Sequence, residues 1–509
     1  MSIATEIGRI AQAKADIKRA INAKGGMLVN EKLSAYADAI DHLLPEEYGN
    51  RVRFIDYDGS ILKTMYVADG ESATPPANPA HSGLVFQGWN TSLDDVLSDR
   101  DVGAVYTTAS GAAEFDVRML VRTGYTVTFY PYLESGTLTI DWGDGTTDTV
   151  TGSGKKTVSY TYADYGDYTI RMKVSNGGKW YIPDYFCNGS NSSYYLVRAK
   201  IADAYKLGNY AFNCNLGLNY CLLSNDVTSI GEYAFQECRA LQAIVLPSSL
   251  ASVGRYAFYH CYALVRIVFS DMLAAIPEAV CRYCHTLDGV TFPDGVESIG
   301  NQAFSECHSI RSLGFPPSLR SIARYAFRYN YALRQVKFPN GLTDIGDEAF
   351  YDCGALAGEV HLPDSITSLG NYIFYQCRGI TEINIPPAIT RIPGGFCYCC
   401  HGLKRIVIPS TVTQIGDDAF YECWQLTEVD VPDTVTTLQG GAFRSCRSMK
   451  DYYFRRTTPP TLNSTSVFEE IPGSCRIWVP ASTDREVLTA YKTASNWSAY
   501  ADYMYEREF

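Results

Sequence analysis

No cysteine occurs among the first 186 residues; all sixteen lie between Cys187 and Cys475. A disulfide framework stapling the whole chain is thereby excluded, and the role of the thiols belongs to the later part. Basic charge is also short, with 43 Lys and Arg against 55 Asp and Glu and a net charge of −12. A polyanionic partner needs a basic face, so nucleic acid is not expected as a ligand. No run of about 20 apolar residues is present, which excludes insertion of a membrane-spanning helix. Histidine is scarce: His42, His81, His260, His285, His308, His361 and His401 complete the set. None stands in a nucleophile elbow or a His-Glu-x-x-His context, and no Gly-rich phosphate loop leads into a helix. No enzyme, cofactor or metal site is expected. With 46% hydrophobic and 19% charged residues, the 509-residue chain reads as ordered and is too long for one core.

What is present in quantity is repetition. Phe212, Phe235, Phe258, Phe304, Phe327, Phe350, Phe374, Phe396, Phe420 and Phe443 recur about every 23 residues, mostly within Ala-Phe-x-x-Cys, and Cys281 stands in the one frame without Phe. About eleven copies are counted. A fixed period of this length predicts a solenoid whose turns bury their apolar faces only against one another. At about 4.8 Å per turn, eleven turns make a rod of about 50 Å. Cys214, Cys238, Cys261, Cys284, Cys307, Cys353, Cys377, Cys399, Cys423 and Cys446 follow the period, with Asn330 in the missing rung. They read as a ladder of buried structural thiols, with Cys and Asn exchanging because each contacts backbone groups in a tight turn. In a well-formed unit, Leu241, Ile244 and Leu246 point inward, Pro247 ends the strand, Gly254 allows the turn, and Ala257-Phe258 seal the interior. The pattern Leu-x-x-Ile-x-Ile-Pro…Ile-Gly-x-x-Ala-Phe-x-x-Cys resembles the BspA-like leucine-rich repeat and covers over half the chain.

Ahead of the repeats, Ile3, Ile7, Ile10, Ile17 and Ile21 form a short seam, Gly25-Gly26 breaks it, and Asn30 caps a second helix. Residues 1–46 are therefore expected to be a helical attachment or oligomerisation segment. The stretch Ala4-Thr-Glu-Ile-Gly-Arg-Ile-Ala-Gln-Ala-Lys-Ala-Asp-Ile-Lys18 resembles the opening of phage minor tail proteins. In 49–109, the Asp58-Gly59 turn, the Pro75-Pro76 loop, Gly88-Trp89-Asn90 and Ala104-Val-Tyr106 resemble the Listeria–Bacteroides repeat, a β-grasp-like module. That resemblance implies a spacer or interaction unit. In 113–178, Trp142-Gly-Asp-Gly145, Tyr160-Thr-Tyr162 and Gly166-Asp-Tyr-Thr-Ile170 resemble the PKD domain, a β-sandwich. Asp141 and Asp144 read as caps of a hairpin turn rather than cation ligands. The solenoid takes 180–458. The remainder, 459–509, with Tyr491, Ala494, Trp497, Tyr500 and Tyr503 at helical intervals, reads as a C-terminal cap. The fold class expected is mainly β: a leucine-rich-repeat solenoid preceded by a short helical segment, a β-grasp-like module and a PKD-like sandwich.

Cys281-Arg-Tyr-Cys-His285 and Cys397-Tyr-Cys-Cys-His401 both spell the c-type haem attachment signature. Both fall where the repeat already explains a thiol, so structural cysteine is the expectation. Two columns vary more than the core. One past Phe stand Gln236, Tyr259, Arg282, Ser305, Arg328, Tyr351, Tyr375, Cys397, Tyr421 and Arg444; four past Phe stand Arg239, Tyr262, His285, His308, Tyr331, Gly354, Arg378, Cys400, Trp424 and Arg447. Their Tyr, Arg, His and Trp residues are the candidate ligand-binding set, because these side chains dominate binding hot spots. The competing reading is that they only stack between rungs.

The functional expectation is recognition without chemistry. With no secretory h-region at Met1-Ser-Ile-Ala-Thr-Glu-Ile-Gly-Arg, a phage-tail receptor-binding protein in the virion ranks first. In that reading the β modules are spacers, 1–46 contact other tail proteins, and the solenoid tip binds a host cell-surface protein or glycan. A homo-oligomer is expected, with the trimer as the state common among tail fibres. The alternative is a bacterial cell-surface adhesin of the BspA-like group.

Overall fold

A computed structural model describes residues 49–119, 125–175, 177–187 and 194–509. The helical segment, its isoleucine seam and the contacts expected of it lie outside the described residues.

The repeats form a stack of parallel rungs. One face is a ladder of two-residue strands at Lys206–Leu207, Ser229–Ile230 and Ser252–Val253, continuing from Ala275–Ile276 through Thr461–Leu462. Ile182 bridges in parallel to Leu207 and adds a rung ahead of them. Among the described residues the solenoid has about 13 turns rather than eleven. The two extra turns lie at the ends, where Phe186 and Phe468 extend the phenylalanine stack at 6.0 and 6.1 Å from Phe212 and Phe443. The sequence motif degenerates there, to Tyr185-Phe186-Cys187 and Val467-Phe468, which is why the count fell short.

From the turn of Phe212 to that of Phe443, each bends at two left-handed residues flanking its Phe slot, for example Tyr233 (φ 56°) and Glu237 (φ 60°) around Phe235. Such backbone is strained for L-residues. It is offset by bonds to the next turn: the Phe235 N–H donates to Ala257 O at 2.8 Å and the Glu237 N–H to Tyr259 O at 2.9 Å. Gly254 is needed for a different reason. A Cβ there would stand 2.3 Å from the Glu232 nitrogen, so the glycine permits backbone to pass against backbone. Replacing Gly254 with alanine is expected to destabilise the protein by about 1–3 kcal/mol. The matched change Gly314→Ala, where a Cβ would meet nothing within 4 Å, should stay within about 0.5 kcal/mol. Urea midpoints of the two variants compare them directly.

The thiol ladder exists, with two rungs reassigned. The sulfurs of Cys238, Cys261 and Cys284 each donate at 3.2 Å to the carbonyl at the Phe position of the preceding turn. Asn330 does the same through Nδ2, to Phe304 O at 2.9 Å, which is the physical reason the two residue types exchange. In the first of these turns the rung is Asn215, not Cys214, and in a later one it is Cys400, bonded to Phe374 O, not Cys399. Every cysteine is a free thiol. Both Cys-x-x-Cys-His thiol pairs face the interior, fully buried, which removes the haem reading.

At its amino end the solenoid sheet runs on into a sandwich. Strand Tyr194–Ile201 pairs in parallel with Tyr220–Leu223 and antiparallel with Ala113–Met119. The latter continues into Gly166–Val174, Thr137–Asp141 and Thr147–Thr151, making eight strands in one sheet. Phe115, Phe129, Trp142, Trp180 and Phe186 fill the sandwich. Asp141 accepts from the Gly143 N–H, and Asp144 from Thr146 N–H and Tyr160 Oη–H, so these carboxylates cap a hairpin as expected.

Strands Asn50–Ile55, Ile61–Val67, Leu84–Trp89 and Arg100–Thr108 make a separate four-stranded sheet. Alternation assigns its two faces. Val52, Phe54 and Val102 pack under their own loops, whereas Ile55 and Val105 meet Val245 and Val268 of the solenoid. Gly103 must be glycine here, since a Cβ would lie 2.3 Å from Val245 Cγ1. Asn90 is fully buried and donates from Nδ2 to Leu246 O and Phe269 O at 2.8 and 3.0 Å. The 49–109 module is clamped onto the outer sheet of the early turns.

At the other end, helix Glu486–Thr493 and a short 3-10 segment Trp497–Tyr503 cover the last rungs. Strand Met504–Arg507 then pairs in parallel with Arg476–Pro480.

Candidate functional site

The edge of the solenoid just past each Phe carries the side chains that vary. Its register differs from the sequence reading in one turn. The Cys397 N–H donates to Ala419 O as Phe420 does to Ala442 O, so Cys397 occupies the Phe slot and Phe396 the Ala slot. Tyr398 and His401, not Cys397 and Cys400, therefore stand on the edge in that turn. The spacing of 23 from Phe374 to Cys397 was the available signal.

With that shift, the column one past Phe becomes a continuous stack. Arg328 lies over Tyr351 at 4.7 Å; Tyr351, Tyr375, Tyr398 and Tyr421 follow at centroid separations of 4.2, 4.8 and 4.4 Å; Arg444 closes the far end over Tyr421 at 5.7 Å. Burial raises the pKa of Tyr351, Tyr398 and Tyr421, so these phenols stay protonated and can donate. In the column four past Phe, Arg239 covers Tyr262 at 5.4 Å. Tyr262, His285, His308 and Tyr331 follow at 5.0, 4.5 and 5.0 Å. Burial and the neighbouring His308 lower the pKa of His285, which keeps its imidazole neutral inside the stack.

The second column breaks at Gly354, where a Cβ would find only Asp352 Oδ1, at 3.9 Å. Tyr331 borders this gap and is 46% exposed. Burial raises the pKa of the Asp352 carboxyl beside it, against the pull of Arg378 and Arg328. Arg378 follows on the far side, held by Gln376 Oε1 at 3.0 Å. His401 then stacks on Trp424 at 3.7 Å and 5°, and Arg447 lies over Trp424 at 5.3 Å. Tyr259 stacks on His260 at 3.9 Å, and Arg282 reaches Gln302 Oε1 at 2.8 Å. The stacking expected of the edge is present in the geometry.

A third column, two before the Phe slot (held by Cys187 in the first turn, whose N–H donates to Ala211 O), escaped the sequence reading. Tyr185, Tyr210, Tyr233 and Tyr256 stack within 5° of parallel at 4.8–4.9 Å. Tyr210, Tyr233 and Tyr256, at 23-residue intervals, were its signal.

The BspA type leucine rich repeat region family matches residues 205–334 and 320–450, in 6 copies, and the PKD domain family matches 112–181. Three solved structures are similar in part. A leucine-rich repeat protein from Bacteroides ovatus is 24% identical, with 66% of this chain and 90% of that chain covered and a TM-score of 0.48. A leucine rich cell surface protein from Faecalibacterium prausnitzii is 24% identical, covering 55% and 94%, with a TM-score of 0.33. A leucine-rich repeat protein from Eubacterium ventriosum is 19% identical, covering 54% and 90%, with a TM-score of 0.35. No curated protein matches the chain. Among the described residues no helix is long and apolar enough to cross a membrane. The repeat and sandwich seen in the fold coincide with the matched segments: residues 205–450 carry a BspA type leucine rich repeat region, and residues 112–181 a PKD domain ahead of it.

Proposed function

We propose that this protein is a non-enzymatic, adhesin-like recognition protein of the bacterial cell surface, which binds a protein or glycan of another cell through the stacked edge. The BspA-type repeat region supports the adhesin-like role over the phage-tail reading, which ranked first in sequence. The tail reading drew on residues 1–46, outside the described part, and no match supports it.

The observation that carries the proposal is the gap at Gly354. Most edge rings pack against a ring or guanidinium group of a neighbouring turn. Tyr331 borders an open position, with Asp352 and Arg378 as polar partners. An exposed ring beside hydrogen-bonding groups suits a sugar ring or a planar side chain.

Gly354→Tyr should fill the gap and extend the stack without unfolding the protein. It is expected to weaken binding of labelled full-length protein to its target by about tenfold or more, as loss of a hot spot does. Tyr331→Ala should do the same. Glycan arrays, and cells with and without protease treatment, distinguish a glycan target from a protein one. Unchanged binding in both variants would place the contact elsewhere.

A further inference from the structure

Reassigning Cys400 to the thiol ladder leaves Cys399 and His401 on the outer edge, facing Glu422 of the next turn. Cys399 Sγ lies 3.2 Å from Glu422 Oε2, and His401 Nε2 lies 3.6 Å from the same oxygen. All three potential ligand atoms fall within 4.8 Å of one another. No other group of three or more His, Cys, Asp or Glu among the described residues meets that condition.

Two further features distinguish this cluster from a chance meeting of polar side chains. His401 Nε2 is buried yet has no hydrogen-bond partner, being too far from Glu422 to donate well. The imidazole plane is fixed by Trp424, stacked at 3.7 Å, so the unpaired nitrogen is aimed rather than free to rotate away.

The donor set selects the ion. A thiolate, an imidazole and a carboxylate suit zinc, whereas calcium and magnesium take oxygen. Zinc bonds of about 2.3 Å to sulfur and about 2.0 Å to nitrogen and oxygen, at tetrahedral angles, require S···O near ~3.5 Å and N···O near ~3.3 Å. The two separations differ from these by a few tenths of an ångström. We propose that Cys399, His401 and Glu422 form a zinc site on the outer edge of the solenoid. Binding releases the Cys399 thiol proton to solvent, and no electron is transferred. Three protein ligands leave the fourth position open to water or to a donor atom of a bound partner. The site stands whether or not the edge recognises a cell-surface ligand.

Cobalt(II) is the probe, added to the reduced full-length protein. One equivalent should give a thiolate-to-cobalt absorption band and the visible bands of a four-coordinate ion, and zinc should displace it. Cys399→Ser should abolish the thiolate band. His401→Phe, which keeps a ring against Trp424, should weaken cobalt binding by at least about 100-fold, beyond the loss of an outer partner. Cys214→Ser, at the other half-buried thiol, should change nothing. Circular dichroism checks each variant's fold, and Glu422→Gln carries the same expectation as His401→Phe should Cys399→Ser fail to fold. A native protein without the band, or a band that survives Cys399→Ser, overturns the site.

Discussion

Asp101→Ala is expected to cost about 3–5 kcal/mol, the range for removing one partner of a buried ion pair. The Asp101 side chain is 1% exposed and accepts from Arg53 Nε and Nη2 at 2.6 and 2.9 Å, while Arg266 of the solenoid approaches at 3.4 Å. The Asp101 N–H donates to Thr291 Oγ1 at 3.0 Å. Alanine therefore strands the Arg53 guanidinium and leaves Arg266 only Asp288, at 3.7 Å, in the seam between the 49–109 sheet and the solenoid. The loss should be local, because the repeats keep their own core. Hydrogen exchange should show the strands Asn50–Ile55 and Arg100–Thr108 losing protection while the rungs beyond residue 300 keep theirs. Native protection throughout would show that the apolar contacts of Ile55 and Val105 hold the module unaided.

Trp497→Ala should have an effect of similar size at the opposite end, about 3–5 kcal/mol. Its indole is fully buried, donates to Pro460 O at 2.6 Å, and packs against Phe454, Tyr491 and Phe468 at 5.0, 5.1 and 5.7 Å. A solenoid transmits stability between nearest neighbours, so removing the cover should fray it from that end inward. Protection should fall first in Arg476–Pro480 and Asp451–Phe454 and reach the middle turns least. A single cooperative loss over all turns would contradict this picture.

Much of the solenoid was legible because a turn repeats its demands every 23 residues: an inward Ile, a close-approach Gly, a Phe, and a donor three residues later. The errors arose where one demand was met by an unusual residue. Asn215 beside Cys214, and Phe396 beside Cys397, offered the motif's letters one position out of register, and matching letters misled where spacing did not. The docking of the 49–109 sheet was illegible for a different reason. Val245 and Val268 look like any strand residues, and nothing local states that another module covers their outward side. Stacking along the edge followed from composition. The gap at Gly354 and the Cys399–His401–Glu422 cluster needed the true register, since each depends on which residues of successive turns stand side by side.

The shared sheet at the amino end has a consequence for how such a chain changes length over generations. The parallel ladder ends where Tyr194–Ile201 meets the antiparallel Ala113–Met119, and its far end is closed by Met504–Arg507. Neither terminus of the stack can accept a new turn without losing its closure. Gain or loss of repeats is therefore confined to the middle, in whole genetic units of about 23 codons. Each such event would slide one half of the tyrosine edge past the other by about 4.8 Å. Lineages would then differ in the distance between fixed ends and in which edge residues are neighbours, with the closures themselves unaltered.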